Sequence, residues 1–187
     1  MTAPLILRRP RRRPQRRHGR AIAWLAALLL LALALGVAER LVSPTAARLM
    51  GAPRVVDGDT LRIDGVTVRL SGVDALERDQ TCRRGRDGTG APWSCGRDAS
   101  IAMSRLIGFK RVACAVTGED RYGRSLATCR LPDGTDLGGA LVRAGWAVAY
   151  TDYSFAYVPH EIAARLAGAG VWDAAFTRPS LWRRERR

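Results

Sequence analysis

RVVDGDTLRIDGVTVRL, residues 54–70, sets two Asp-Gly turn signals between three short β-type runs. Arg54-Val55-Val56 is a short β-type run closed by the turn signal Asp57-Gly58, and Thr60-Leu61-Arg62-Ile63 then alternates apolar with polar. Asp64-Gly65 is a strong two-residue hairpin signal, after which Val66-Thr67-Val68-Arg69-Leu70 alternates again. Three antiparallel strands of a meander are the economical reading. On the C-terminal side, residues 77–96 lose all periodicity and gather Gly, Arg, Asp and Pro, which predicts a loop. Ala99, Ala102, Met103, Leu106 and Ile107 then share one face of a helix that Gly108 ends. Two more strands are predicted at 111–116 and 125–131 around a polar turn at 117–124, followed by helices at 137–144 and 160–166. Five short strands with an inserted helix and further helices at the C-terminal side predict an α+β fold: a small, closed five-stranded barrel of the oligonucleotide-binding (OB) type.

On the N-terminal side the composition changes. The chain's 187 residues are 47% hydrophobic and 26% charged, which suits one globular domain and excludes a wholly disordered or wholly membrane-embedded chain. Of the net charge of +14, eight units come from arginines within residues 1–20 and three from the Arg183–Arg187 cluster around Glu185. The body between is only mildly basic, so bulk charge does not by itself point to a polyanion. Residues 21–38, AIAWLAALLLLALALGVA, carry no charge and are just long enough to cross hydrocarbon as a helix. The one-sided arginine flank predicts that residues 1–20 stay cytoplasmic and that the following domain is exported. The small residues Gly36-Val37-Ala38 leave a signal-peptidase site open, but the apolar run is longer than usual for a signal peptide, which favours an uncleaved transmembrane anchor. The expected organisation is a head at 1–20, an anchor or signal segment at 21–38, a stalk at 39–52, one domain at 53–176 and a solvated basic tail at 177–187. The location implied is the inner membrane with the domain on the periplasmic side, or secretion if the segment is cut.

All four cysteines, Cys82, Cys95, Cys114 and Cys129, lie beyond the apolar run, and an even number in an exported domain suggests disulfides. Three connectivities are possible. Cys114 and Cys129 are equidistant from the middle of the turn between the last two strands, so an ideal hairpin places them opposite each other at disulfide distance. Cys82 is left with Cys95. No C-x-x-C knuckle exists, which argues against structural zinc.

Asp57 and Asp59 lie at the turn after the first strand, while Arg69, Asp74 and Glu77 end and follow the strand that returns toward it. Taken alone, such charges can be a surface ion-pair network. Their chemistry also suits phosphodiester hydrolysis: carboxylate and carbonyl oxygens hold a hard cation, a further carboxylate takes a proton from water, and guanidinium groups match phosphate oxygens.

Asp57-Gly58-Asp59-Thr60, then Arg69-Leu70 with Asp74-Ala75-Leu76-Glu77, then Asp120-Arg121-Tyr122-Gly123-Arg124 and Leu141-Val142-Arg143-Ala144-Gly145-Trp146-Ala147 closely resemble the staphylococcal nuclease (thermonuclease) family. The resemblance is ordered and covers residues 54–173. It implies a barrel-plus-helices fold and calcium-dependent cleavage of DNA and RNA to 3′-phosphate products. By position, Asp59, Asp74 and the main-chain carbonyl of Ala75 resemble the calcium ligands, Glu77 the general base, and Arg69 and Arg124 the phosphate-binding arginines. Arg121, Tyr122 and Tyr150 resemble substrate contacts. The family often has proline just before the glutamate; Leu76 stands here, which predicts a looser turn aiming Glu77. The partners expected are DNA or RNA, and the membrane through residues 21–38, with no obligate protein partner. The alternative is a catalytically weak OB-fold module that binds nucleic acid at the membrane.

Overall fold

The structure is a computed structural model and describes residues 24–33 and 47–186. Residues 24–33 form a helix, α1, inside the predicted apolar span. Among the described residues no helix is long and apolar enough to cross a membrane. The remainder of the 21–38 segment, the 1–20 head and most of the predicted stalk lie outside the described residues.

The folded body runs β1 (Arg48–Gly51), β2 (Arg54–Asp57), β3 (Thr60–Ile63), β4 (Val66–Leu70), β5 (Val73–Ala75), β6 (Cys82–Arg84), β7 (Pro92–Trp93), α2 (Cys95–Ile107), β8 (Val112–Glu119), β9 (Ser125–Arg130), α3 (Leu137–Arg143), β10 (Ala147–Ala149), α4 (Val158–Ala167), a 3-10 turn (Gly170–Asp173), β11 (Ala174–Ala175) and α5 (Pro179–Glu185). The meander is present. β2, β3 and β4 pair antiparallel in sequence, and the β3–β4 hairpin turns on Asp64 and Gly65, both at positive φ (46° and 86°), as a tight two-residue connection of twist-matched type requires.

The sheet differs from the expected closed five-stranded barrel. It has six strands in the order β1-β8-β9-β4-β3-β2, with β4 and β9 parallel, and its edge strands are not joined. The added strand is β1, which pairs antiparallel with β8 through Leu49↔Cys114 and so takes the end of the predicted stalk into the domain. Four residues bounded by a proline on the C-terminal side are too few to display a period, whereas the backbone of an eight-residue β8 offers a free edge to pair with. Across β8 and β9, Cys114 and Cys129 stand directly opposite, 4.0 Å apart at Cα, and are bonded.

The predicted 77–96 loop also carries structure: β6 and β7 pair with each other and β6 with β11, in a small sheet stapled by the Cys82–Cys95 disulfide. Inward residues Leu61 and Ile63 of β3 and Val68 and Leu70 of β4 meet Met103 and Ile107 of α2 and Leu137 and Leu141 of α3 in the main core. Each fully buried aliphatic side chain of this kind contributes about 1.5–3 kcal/mol. Within the segment 177–187, expected as a solvated tail, Pro179–Glu185 form α5 instead, begun by a buried Pro179 at a position where its missing N–H costs nothing.

Candidate active site

The rim of the main sheet gathers the predicted acids because of strand register. β2 ends at Asp57 and β3 begins at Thr60, so Asp57 and Asp59 flank one turn; Thr60 in turn pairs with Arg69 of β4. The Arg69 guanidinium bridges two carboxylates, with Nη1 donating to Asp59 Oδ1 at 2.6 Å and Nη2 to Asp74 Oδ1 at 3.0 Å. Asp74 lies on β5 and only 1% of it is exposed; Asp59 is 4% exposed and accepts the Ala75 amide on Oδ2 at 3.0 Å. Burial works against the Arg69 charge, yet Asp59 and Asp74 outweigh it and raise the guanidinium pKa further.

Glu77 follows β5 and is half-buried. Its turn is fixed from several sides: the Glu77 amide donates to Gln80 Oε1 (3.1 Å), the Gln80 amide donates to the Glu77 carbonyl (2.8 Å), and Gln80 Nε2 donates to the Thr177 carbonyl (2.6 Å). Gly96 packs so tightly here that a Cβ would stand 1.6 Å from the Glu77 carbonyl oxygen. Leu76 itself is buried beside Cys82, Cys95, Ala99 and Val171. The loose turn expected from the missing proline is therefore absent: packing and a fully buried glutamine hold what a ring would have held. Burial pushes the Glu77 carboxyl up, against the pull of Arg183, with Asp59 and Asp57 adding to the rise. A carboxylate raised in this way is a better proton acceptor.

Arg124 reaches the same place from the β8–β9 turn. Asp120 closes that turn by accepting the amides of Tyr122 (2.9 Å) and Arg124 (3.0 Å) on Oδ1, and it grips Arg124 Nε at 2.7 Å on Oδ2. These bonds hold the Asp120 carboxyl low despite the opposing effect of burial. Tyr122 is exposed, with Arg121 at 4.8 Å and Arg124 at 5.4 Å over its ring. Tyr150 follows β10, anchored by its amide on the Gly72 carbonyl at 2.9 Å, with the Tyr153 ring 4.8 Å away.

One cleft of about 470 Å³ is lined by Asp57, Asp59, Arg69, Ala75, Glu77, Arg121, Tyr122, Arg124 and Tyr150. Nearly every residue singled out in the sequence thus meets in one place, and Asp74 lies just beneath. Three participants were not assigned a role from the sequence. Gln80 sets Glu77, Asp120 sets Arg124, and Arg183 of α5 enters the cleft from the far end of the chain and pairs with Asp74 and Glu77. Only Asp120 was traceable, as an acid four residues before an arginine in a turn.

The donor set suits a hard cation. Asp59 and Asp74 are two buried carboxylates side by side, a combination that requires positive charge nearby, and Ala75 lines the same cleft. Among the described residues no three carboxylate, imidazole or thiolate side chains close on one point, so main-chain oxygen and water would have to complete such a shell.

Residues 67–174 match the family model described as staphylococcal nuclease homologue. The chain is 36% identical over 157 residues to a protein named succinoglycan biosynthesis protein ExoI of Rhizobium meliloti, spanning 83% of this chain and 76% of that protein. It is 33% identical over 137 residues to an uncharacterized endonuclease of Escherichia coli (70% of this chain, 81% of the relative) and 31% identical over 140 residues to one of Haemophilus influenzae (71% of each).

Proposed function

The chain belongs to the staphylococcal nuclease family and is a nuclease, and from that premise we propose that it is a calcium-dependent endonuclease cutting DNA and RNA to 3′-phosphate products outside the cytoplasm. The observation that carries this reading is the pair of buried carboxylates Asp59 and Asp74, bridged by Arg69 at the floor of a cleft that also holds Glu77 and Arg124.

In this reading Asp59, Asp74 and the Ala75 carbonyl hold the cation. When bound, calcium supplies positive charge against the charge that builds on the phosphate oxygens. Glu77 takes a proton from the attacking water, whose oxygen forms the new bond to phosphorus as the bond from phosphorus to the 5′-oxygen breaks. Arg69 and Arg124 orient the phosphate and stabilise its extra charge, Arg124 being held in aim by Asp120. Arg121, Tyr122 and Tyr150 line the side of the cleft where substrate would lie, and the exposed Tyr122 ring offers a face for a base.

An arginine-rich flank before eighteen uncharged residues favours a membrane anchor with an exported domain, and two disulfides suit an oxidising compartment. The test is incubation of the full-length protein with end-labelled single-stranded DNA and RNA, in calcium or in chelator, with analysis of the fragment ends. Fragments with 5′-hydroxyl and 3′-phosphate ends, formed only with calcium, are expected. Undiminished cleavage in chelator, or 3′-hydroxyl ends, contradicts the reading.

A further inference from the structure

Arg183 sits where the proposed cation belongs. Its Nη1 donates to Asp74 Oδ1 at 2.8 Å and to Glu77 Oε1 at 2.5 Å, and its Nη2 donates to Asp74 Oδ2 at 3.1 Å. Both oxygens of Asp74 are taken in a two-pronged fork, and the same guanidinium covers the carboxylate assigned as proton acceptor. A hard cation needs those lone pairs aimed at itself at about 2.3–2.6 Å, so guanidinium and cation exclude each other at Asp74. Burial works against the Arg183 charge, but its hydrogen bonds to Asp74 and Glu77 more than restore it.

Apart from Arg183 itself, the helix is fastened firmly at its root and lightly at its end. Gln80 Nε2 holds the Thr177 carbonyl and Pro179 is buried, which roots the start of α5. Arg186 pairs with Asp79 and stacks on Trp182 at the other end, but this outer clasp is open to solvent, its two side chains 52% and 69% exposed. Exposed ion pairs contribute little, on the order of 0–1 kcal/mol, so the outer half of α5 can detach while its root stays.

We infer that Arg183 is an internal occupant of the cation site, and that α5 is a strap which a divalent cation must displace before Asp74 and Glu77 can act. The inference rests on the calcium reading above. Exchange replaces one positive charge by two against the same carboxylates, so the departure of Arg183 leaves no added negative charge uncompensated. It also weakens the apparent affinity for the ion in proportion to the fraction of molecules in which the strap is closed: a strap closed nine-tenths of the time costs about tenfold.

The experiment titrates the full-length protein with calcium chloride by calorimetry, comparing wild type with Arg183→Gln and Arg186→Gln, and follows trypsin cleavage within α5 by mass spectrometry with and without calcium. Arg183→Gln should bind calcium roughly tenfold tighter, Arg186→Gln should shift in the same direction by less, and calcium should speed cleavage after Arg183 and Arg184 in the wild type. Arg186→Gln leaves every proposed ligand in place and carries the test if Arg183→Gln does not fold. Equal calcium affinity in all three proteins overturns the strap and leaves the calcium reading standing, whereas no calcium binding by any of them removes both. Tighter binding by Arg183→Gln without calcium-accelerated cleavage in the wild type means that charge alone was responsible, and it too overturns the strap.

Discussion

Two clusters in this domain are built from the same materials, buried carboxylates and arginines, and they do different things. Around Glu161 of α4, which is 6% exposed, one acid is met by the two arginines Arg165 and Arg178, while its Oε2 accepts the Ala149 amide at 2.6 Å. Positive charge is in excess and the acid's oxygens are used by the chain's own donors. At the cleft Asp57, Asp59, Asp74 and Glu77 face Arg69 and Arg183, while Arg124 is already engaged by Asp120. There the negative charge exceeds the positive by two even with Arg183 in place. Composition therefore does not separate a structural ion cluster from a catalytic one; the sign of the imbalance does. Glu161 ties α4 to β10 and to the root of α5, and the rim acids hold a demand for a cation that folding alone leaves unmet.

The contrast breaks most sharply under Asp59→Asn. Cleavage at saturating substrate should fall by about 10²–10³, the usual cost of removing one electrostatic stabiliser from a site, while stability falls by only about 1 kcal/mol: the single amide oxygen keeps one of the bonds to Arg69 and the Ala75 amide and gives up the other, and the lost charge relieves repulsion from Asp57 and Glu77. A large loss of stability would place Asp59 with Glu161 as a structural acid. Glu161→Gln should do the reverse. It weakens the hold on Arg165, Arg178 and the buried Ala149 amide, and denaturant unfolding should register a loss of about 1–3 kcal/mol with the cleavage rate per folded molecule unchanged. A smaller effect sharpens the structural side. Burial and the adjoining Asp136 push the Tyr157 hydroxyl up to about 12. A group raised above its unfolded value of about 10 contributes stability that is complete below the unfolded value and is lost as pH rises toward the folded one. Wild type should therefore lose stability between about pH 10 and 12 more steeply than Tyr157→Phe, as urea midpoints across that range would register.

Much of this was legible in the sequence because local rules and tertiary needs agree there. The five strands at 54–131 announce themselves by alternation and by Asp-Gly turns, and each is present. The Cys114–Cys129 pairing was readable for a subtler reason. A register shift between Val116 and Gly118 adds one residue to β8, and the turn centred on Tyr122 absorbs it, so the cysteines still face each other. What could not be read are contacts with no local period. β1 is four residues long, and β6 and β7 are shorter. Gln80 looks like any loop glutamine until the Thr177 carbonyl, far along the chain, meets it. The arginines of α5 read as solvated because a run of like charge usually is; Arg183 departs from that habit only because the buried Asp74 and the half-buried Glu77 lie where α5 packs.

Whether Glu77 accepts the proton of the attacking water is decided by single-turnover cleavage of an end-labelled oligonucleotide by Glu77→Gln at saturating calcium. The amide keeps the size and the hydrogen-bonding reach of the carboxylate but cannot take the proton. The expected result is a rate about 10²–10⁴ below wild type with substrate binding and the unfolding midpoint little changed. A variant that cuts within a few-fold of the wild-type rate would rule out Glu77 as the proton acceptor and move that role elsewhere in the cleft.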